Sequence, residues 1–393
     1  MLTVTSLNLS PTNSLITLVS TNTLVNTPLT IAFSVGDDRT PASGLTYIIS
    51  SADNTLIPSA NVGVANQGTA NPRVTIMPAN NQVGVALISV GVNDNDANEP
   101  RTTTANIPVM VRPNTNVVLV DFFNYDNGGG PLDSVSAGYW THLSGTTGQL
   151  IAGNGVAVVD TLDNRENVQA QLLGAPYNTN SGATLYASFT INMNPRDLPL
   201  ANGTYFALFN DGSGTTGPYE GRVVAATNNA APGFYRIGIN NFGADATTGE
   251  QFPLDLIPGT NYVVVEALVL TNGFSTVWIN PNGPGSPSVT DTTPAPAATN
   301  LYNIADFELR ESGADAGSIS VGSLKVGTTF DSVLPSLHIN AVGANVVLNW
   351  SDPTLGVQTA TNVAGPYVDI VGATPPYSNS ISTNSERFYR FGQ

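Results

Sequence analysis

Few residues in this sequence could do chemistry, and the densest group of them is the run Asn93-Asp94-Asn95-Asp96-Ala97-Asn98-Glu99-Pro100. Asp94, Asp96 and Glu99 bring hard oxygen ligands together within one turn, the donor type that Ca2+ takes. The same residue types are what a solvated hairpin loop requires, so a plain turn is the competing reading. Glu311 and Asp315, just before Gly317, form a second and sparser pair of oxygen ligands. Calcium is therefore the one cofactor to consider.

Acid–base chemistry has a single constellation. Asp306, Glu308 and Arg310 alternate along a run with strand character and so share a face. Two carboxylates so placed can reach the roughly 5–5.5 Å separation of a retaining glycosidase, but with Arg310 beside them a structural ion pair is the favoured reading. His142 and His338 are the only histidines and fall in different predicted domains, and no Gly-x-Ser-x-Gly elbow is present. With no cysteine and no paired histidines, thiolate sites, disulfides and metal-hydrolase clusters are excluded. Gly128-Gly-Gly130 has no Lys-Ser/Thr after it and reads as a turn, not a phosphate loop. The expectation is a protein that binds or assembles and is not an enzyme.

Saccharide binding needs aromatic platforms and amide or carboxylate hydrogen-bond partners. Tyr139, Trp140 and Tyr219 lie in or near predicted loops, as do His142, Tyr177 and Tyr235. For each aromatic core packing is the favoured reading and a stacking platform the alternative; Trp350, after Val346-Val-Leu, is expected to anchor a core.

The elements that must position these residues are strands. Gly (38) and Pro (27) are spread along the 393 residues, which would break any long helix repeatedly. Charged residues are only 10 % and the net charge is -16, with Lys325 the only lysine, so no basic surface is available for nucleic acid. No apolar run approaches the ~20 residues that span a bilayer.

Up to residue 113, alternating runs such as Leu29-Thr-Ile-Ala-Phe-Ser-Val35 and Gly84-Val-Ala-Leu-Ile-Ser-Val90 suit a sandwich. Val25-Asn-Thr-Pro-Leu-Thr, Phe33-Ser-Val-Gly-Asp37, Pro78-Ala-Asn-Asn-Gln82 and Val90-Gly-Val-Asn-Asp94 give the segment its resemblance to bacterial immunoglobulin-like or cadherin-like repeats. That resemblance implies calcium loops near domain ends. Residues 117–333 hold too many strands for such a unit. Tyr262-Val-Val-Val-Glu266, Val277-Trp-Ile-Asn-Pro281, Phe307-Glu-Leu-Arg310 and Gly317-Ser-Ile-Ser-Val-Gly-Ser-Leu-Lys-Val-Gly327 make the segment similar to concanavalin-like, laminin-G-like jelly rolls. Retaining hydrolases of that type carry Glu-x-Asp-x-x-Glu or Glu-x-Asp-x-Glu, whereas Asp306-x-Glu308-x-Arg310 departs from it. Residues 334–393, with Val346-Val-Leu-Asn-Trp350 and Arg387-Phe-Tyr-Arg-Phe391, resemble a small fibronectin-like module.

The fold class expected is thus all-β, in tandem β-sandwiches over 1–113, 117–333 and 334–393. Together with the composition it implies an extracellular or cell-surface protein, structural or adhesive, such as the subunit of a fibre or coat, with a polysaccharide-binding protein as the alternative and a glycan-active enzyme as the third reading. No signal-peptide pattern is read after Met1, so a removed leader or another export route is expected. Leu2, Val4, Leu7 and Leu9 alternate with Thr, Ser and Asn, so the segment can complete its own sheet, the favoured reading, or add to a neighbouring molecule's sheet edge and give self-association.

Overall fold

The computed structural model describes residues 8–80, 82–125, 128–160, 165–212, 220–241, 245–293, 303–311, 316–350, 355–380 and 386–392. The protein is all-β, and its helical segments among these residues are single turns of three or four residues. The chain divides into two compact units, Met1–Arg112 with Ser136–Tyr139, and Pro113–Val135 with Trp140–Gln393.

In the first unit a four-stranded sheet runs in the order Thr21–Leu24, Thr102–Arg112, Gly84–Asn93, Thr46–Ser51. Its first pair is parallel and the others are antiparallel. A three-stranded sheet places Arg73–Ile76 between Leu29–Ala32 and Val62–Ala65. Alternation along the long strands decides which side is core: Ile88, Val90 and Val92 point one way and Ile107, Val109 and Val111 meet them, all fully buried.

The second unit is built on two large sheets. In one, Ser318–Gly327 and Thr184–Met193 pair over seven residues at the centre. The other has seven strands in the order Thr141–Ser144, Asn167–Gln171, Asp306–Arg310, Thr204–Asn210, Glu220–Ala226, Arg236–Asn240, Glu250–Gln251. Phe189 of the first sheet meets Phe206 and Phe307 of the second at ring distances of 6.1 and 6.2 Å, and Phe209 packs edge-on against Phe307 at 5.4 Å. Such interlocked rings give each pair about 0.5–1.5 kcal/mol beyond area burial and fix how the sheets stack. The unit ends in two three-stranded sheets, Leu337–Val342, Asn345–Trp350, Tyr377–Ser380 and Val368–Asp369, Val357–Ala360, Phe388–Phe391. They close over Leu348, Trp350 and Val357, which puts Trp350 in a core as its apolar neighbours require.

Candidate functional site: a polar sheet face

One face of the seven-stranded sheet is apolar and the other is not. Asn167–Gln171 pairs with Asp306–Arg310 so that Asn167 stands opposite Arg310, Gln169 opposite Glu308 and Gln171 opposite Asp306. Residues paired this way project to the same side. The intervening Val168, Ala170, Phe307 and Leu309 go to the other side and are fully buried. Across the next ladder Leu208 stands opposite Glu308 and Asn210 opposite Asp306. Amides, carboxylates and guanidinium groups therefore gather over three adjacent strands.

Glu308 is the centre of this group. It is fully buried, its Oε2 accepts a hydrogen bond from Asn210 Nδ2 at 3.0 Å, and its Oε1 has no partner. Burial pushes its carboxyl up to about 7, against the Asn210 hydrogen bond and the positive charges of Arg310 and Arg222. Burial likewise raises Asp306 to about 6, helped by the charge of Asp211. The ion pair expected among Asp306, Glu308 and Arg310 is not formed among the described residues. Instead the Arg310 guanidinium lies 3.9 Å from the centre of the Tyr205 ring and Arg222 lies 5.0 Å from the same ring. A flat cation over an aromatic face is a favourable contact that needs no carboxylate.

Two further acceptors share Glu308's condition. Asn167 donates through Nδ2 to Ser144 Oγ at 3.0 Å, but its Oδ1 is buried without a partner, as is Gln169 Oε1. Buried polar atoms are nearly always hydrogen-bonded. Three neighbouring acceptor oxygens are thus buried without a partner on one face of the sheet.

The other residues singled out in the sequence are placed as follows. Asp94 is almost fully buried, and its Oδ1 accepts the backbone N–H of Asp96 and of Arg101 at 3.1 and 2.8 Å. Asp96 accepts from the N–H of Asn98 and Glu99 at 2.9 and 3.0 Å, with Arg39 3.5 Å from its other oxygen. Glu99 is exposed and 3.7 Å from Arg101. Backbone donors thus occupy one oxygen each of Asp94 and Asp96, and the side chains of Asn8 and Arg39 face their other oxygens. Glu311 is no loop ligand: it is fully buried and accepts the N–H of Asp160 and Glu166 at 2.9 and 3.3 Å. Asp315, Tyr219, Leu2, Val4 and Leu7 lie outside the described residues, whereas Leu9 is exposed and donates its N–H to Asp38 at 3.2 Å.

Tyr139 and Trp140, candidates for stacking faces, are buried as core packing requires, Trp140 completely. The reason is polar as well as apolar. Asp121 is buried beneath Trp140 and takes its indole N–H at 2.8 Å and the Tyr125 hydroxyl, while Phe123 packs 6.0 Å from the indole. Tyr235 is also fully buried. Of the candidate face, only Asp306, Glu308 and Arg310 were visible as a group in the sequence. Asn167, Gln169, Asn210 and Tyr205 come from strands up to about 140 residues away, and only sheet pairing brings them in. The alternation Asn167-x-Gln169-x-Gln171 is the one signal that could have found the neighbouring strand.

No protein-family model and no curated protein matches the chain. Among solved structures it is similar to the CBM2 module of the evolved Dit of Lactobacillus casei BL23 phage J-1, at 13 % identity over 54 % of this chain and 95 % of that one, TM-score 0.34. It is also similar to basic winged bean lectin with Tn-antigen, at 15 % over 48 % and 91 %, TM-score 0.32. A third is alginate lyase from Pseudomonas aeruginosa, at 16 % over 48 % and 81 %, TM-score 0.30. Scores this low assign neither a family nor an activity. No helix among the described residues is long and apolar enough to cross a membrane.

Proposed function

We propose that this is an extracellular, adhesive surface protein that holds polysaccharide on the polar face of its seven-stranded sheet. The reading is carried by the three adjacent acceptors without partners, Asn167 Oδ1, Gln169 Oε1 and Glu308 Oε1. Sugar hydroxyls supply the donors these atoms need. Gln169 and Arg310 are partly exposed and are where a ligand would meet the group, its buried oxygens reached by turning the Gln169 amide, and the low-charge, Asn- and Thr-rich composition supports an extracellular setting.

Calorimetric titration with a panel of soluble neutral and uronic-acid polysaccharides tests it. At least one should bind, and Gln169→Ala and Arg310→Ala should each weaken it by about 3–10-fold, the scale of one lost hydrogen bond. Val371→Ser, at a fully exposed position, should bind as the parent does. Failure of every polysaccharide at millimolar sites, or full affinity in both face variants, would sink the proposal. A second reading is favoured by Glu308 alone: a carboxyl raised to about 7 can act as a proton donor near neutral pH. Release of sugar ends that disappears in Glu308→Gln would move the protein to the glycan-active enzymes.

A further inference from the structure

Immediately before the strand Asn167–Gln171, Glu166 is fully buried. Its Oε2 accepts the backbone N–H groups of Gln149 and Leu150 at 2.7 and 2.9 Å, while its Oε1 lies 3.0 Å from His142 Nδ1. The Leu150 carbonyl accepts the N–H of Leu132 at 2.8 Å, which starts the single helical turn Leu132–Val135 and sets Asp133 beside the pair. One ligand atom from each of Asp133, His142 and Glu166 lies within 4.8 Å of the other two. Gly145 makes this approach possible. It has φ +87°, and a Cβ there would stand 1.6 Å from the Arg165 carbonyl oxygen, so only glycine lets the turn after His142 close onto residues 165–166.

The surrounding charge is one-sided. Glu311 accepts the N–H of Glu166 at 3.3 Å. No ion pair among the described residues brings an arginine or lysine to Asp133, Glu166 or Glu311. A desolvated carboxylate with an imidazole as its one side-chain partner is in want of positive charge.

We propose that Asp133, His142 Nδ1 and Glu166 Oε1 form a site for a divalent transition-metal ion of the zinc class. An imidazole with two carboxylates suits zinc and its first-row neighbours, whereas calcium takes six to eight oxygens. Tetrahedral zinc with bonds of about 2.0–2.1 Å sets its ligand atoms about 3.3 Å apart, a few tenths beyond the present 3.0 Å between His142 and Glu166. The two backbone N–H groups on Oε2 hold the carboxylate so that its other oxygen alone faces the metal, the outer-shell support that metal-binding carboxylates ordinarily have.

The chain is well suited to the test, because it has no cysteine and His338 is its only other imidazole. Metal-free protein is titrated with Zn2+ by calorimetry, and with Co2+ by visible absorption, alongside His142→Ala, Asp133→Asn and His338→Ala. Asp133 and His142 are not buried, and circular dichroism checks that the variants fold. The expected result is one equivalent of Zn2+ bound, weakened about 100-fold or more in His142→Ala and about 10-fold in Asp133→Asn, with His338→Ala unchanged. The Co2+ bands should vanish in His142→Ala. Absence of Zn2+ binding by the parent, equal affinity in His142→Ala, or binding that Ca2+ matches would each overturn the proposal.

Discussion

Gln169 and Glu308 stand directly opposite each other on neighbouring antiparallel strands, and each leaves one buried oxygen without a hydrogen-bond partner. Glu308 carries the clearer consequence for stability. Its folded carboxyl titrates at about 7 against an ordinary 4.5, so between these values the folded protein binds the proton and the unfolded chain does not. Stability must then fall as pH rises through that window and level off above it. Glu311, at about 7, Asp121, at about 6, and Glu220, at about 8, act in the same direction. Melting temperature should therefore decline from about pH 5 to pH 8, each group contributing up to about 1.4 kcal/mol per pH unit crossed. Glu308→Gln should flatten part of the slope and raise stability at pH 8. A parent whose melting temperature climbs from pH 5 to 8 would contradict this.

Trp140 is predicted to matter for folding and not for ligand binding. Trp140→Phe keeps most of the apolar contact with Phe123 but removes the indole N–H from Asp121, leaving that buried carboxylate one donor short. The expected loss is about 1–3 kcal/mol in denaturant unfolding. Polysaccharide affinity should be unaltered; a variant that unfolds normally yet loses binding would return Trp140 to the ligand.

Glu266 should be a residue the protein is more stable without. It is fully buried, neither carboxyl oxygen has a partner, and burial raises its carboxyl well above the ordinary value. Glu266→Met keeps the volume and removes the unsatisfied group, so a gain of about 1–3 kcal/mol at pH 7 is expected. Destabilisation by that amount would show that the carboxyl has a partner on which the core depends.

The sequence and the structure agree where period decides. Alternation such as Ile88-x-Val90-x-Val92 states both the element and its buried face, because a strand has only two sides. Asp306, Glu308 and Arg310 share a face for the same reason. What alternation cannot state is which strands become neighbours: Asn210 reaches Glu308 across 98 residues of sequence. Trp140 packs in a core, as large aromatics do, but its polar partner was not legible: the buried acid Asp121 that takes its N–H stands 19 residues earlier with no local signal. Glu166 and Asp133 went unnoticed as partners of His142 because a one-turn helix and a glycine turn bring them together.

The last prediction concerns the loop that looked most like a calcium site. Hydrogen bonds hold the carboxyls of Asp94 and Asp96 below the usual carboxylate range, chiefly from the N–H of Arg101 for Asp94 and of Asn98 for Asp96. Asn8 adds an Nδ2 donor 3.2 Å from Asp94 Oδ2 and another to the Glu99 carbonyl at 2.8 Å. The loop is thereby closed by its own amides, as Asx turns are. Because the folded values are depressed, the stability these groups contribute is present above their ordinary value near 3.8 and is lost as pH falls below it. Asp94→Ala strips acceptors from Asp96, Arg101 and Asn8 at once and should lower the melting temperature of the first unit by several degrees. Chelator and added Ca2+ should leave the parent's melting temperature where it is. A rise with Ca2+ that chelation reverses, and that Asp94→Ala lacks, would show instead that the amides merely hold the loop open for the ion.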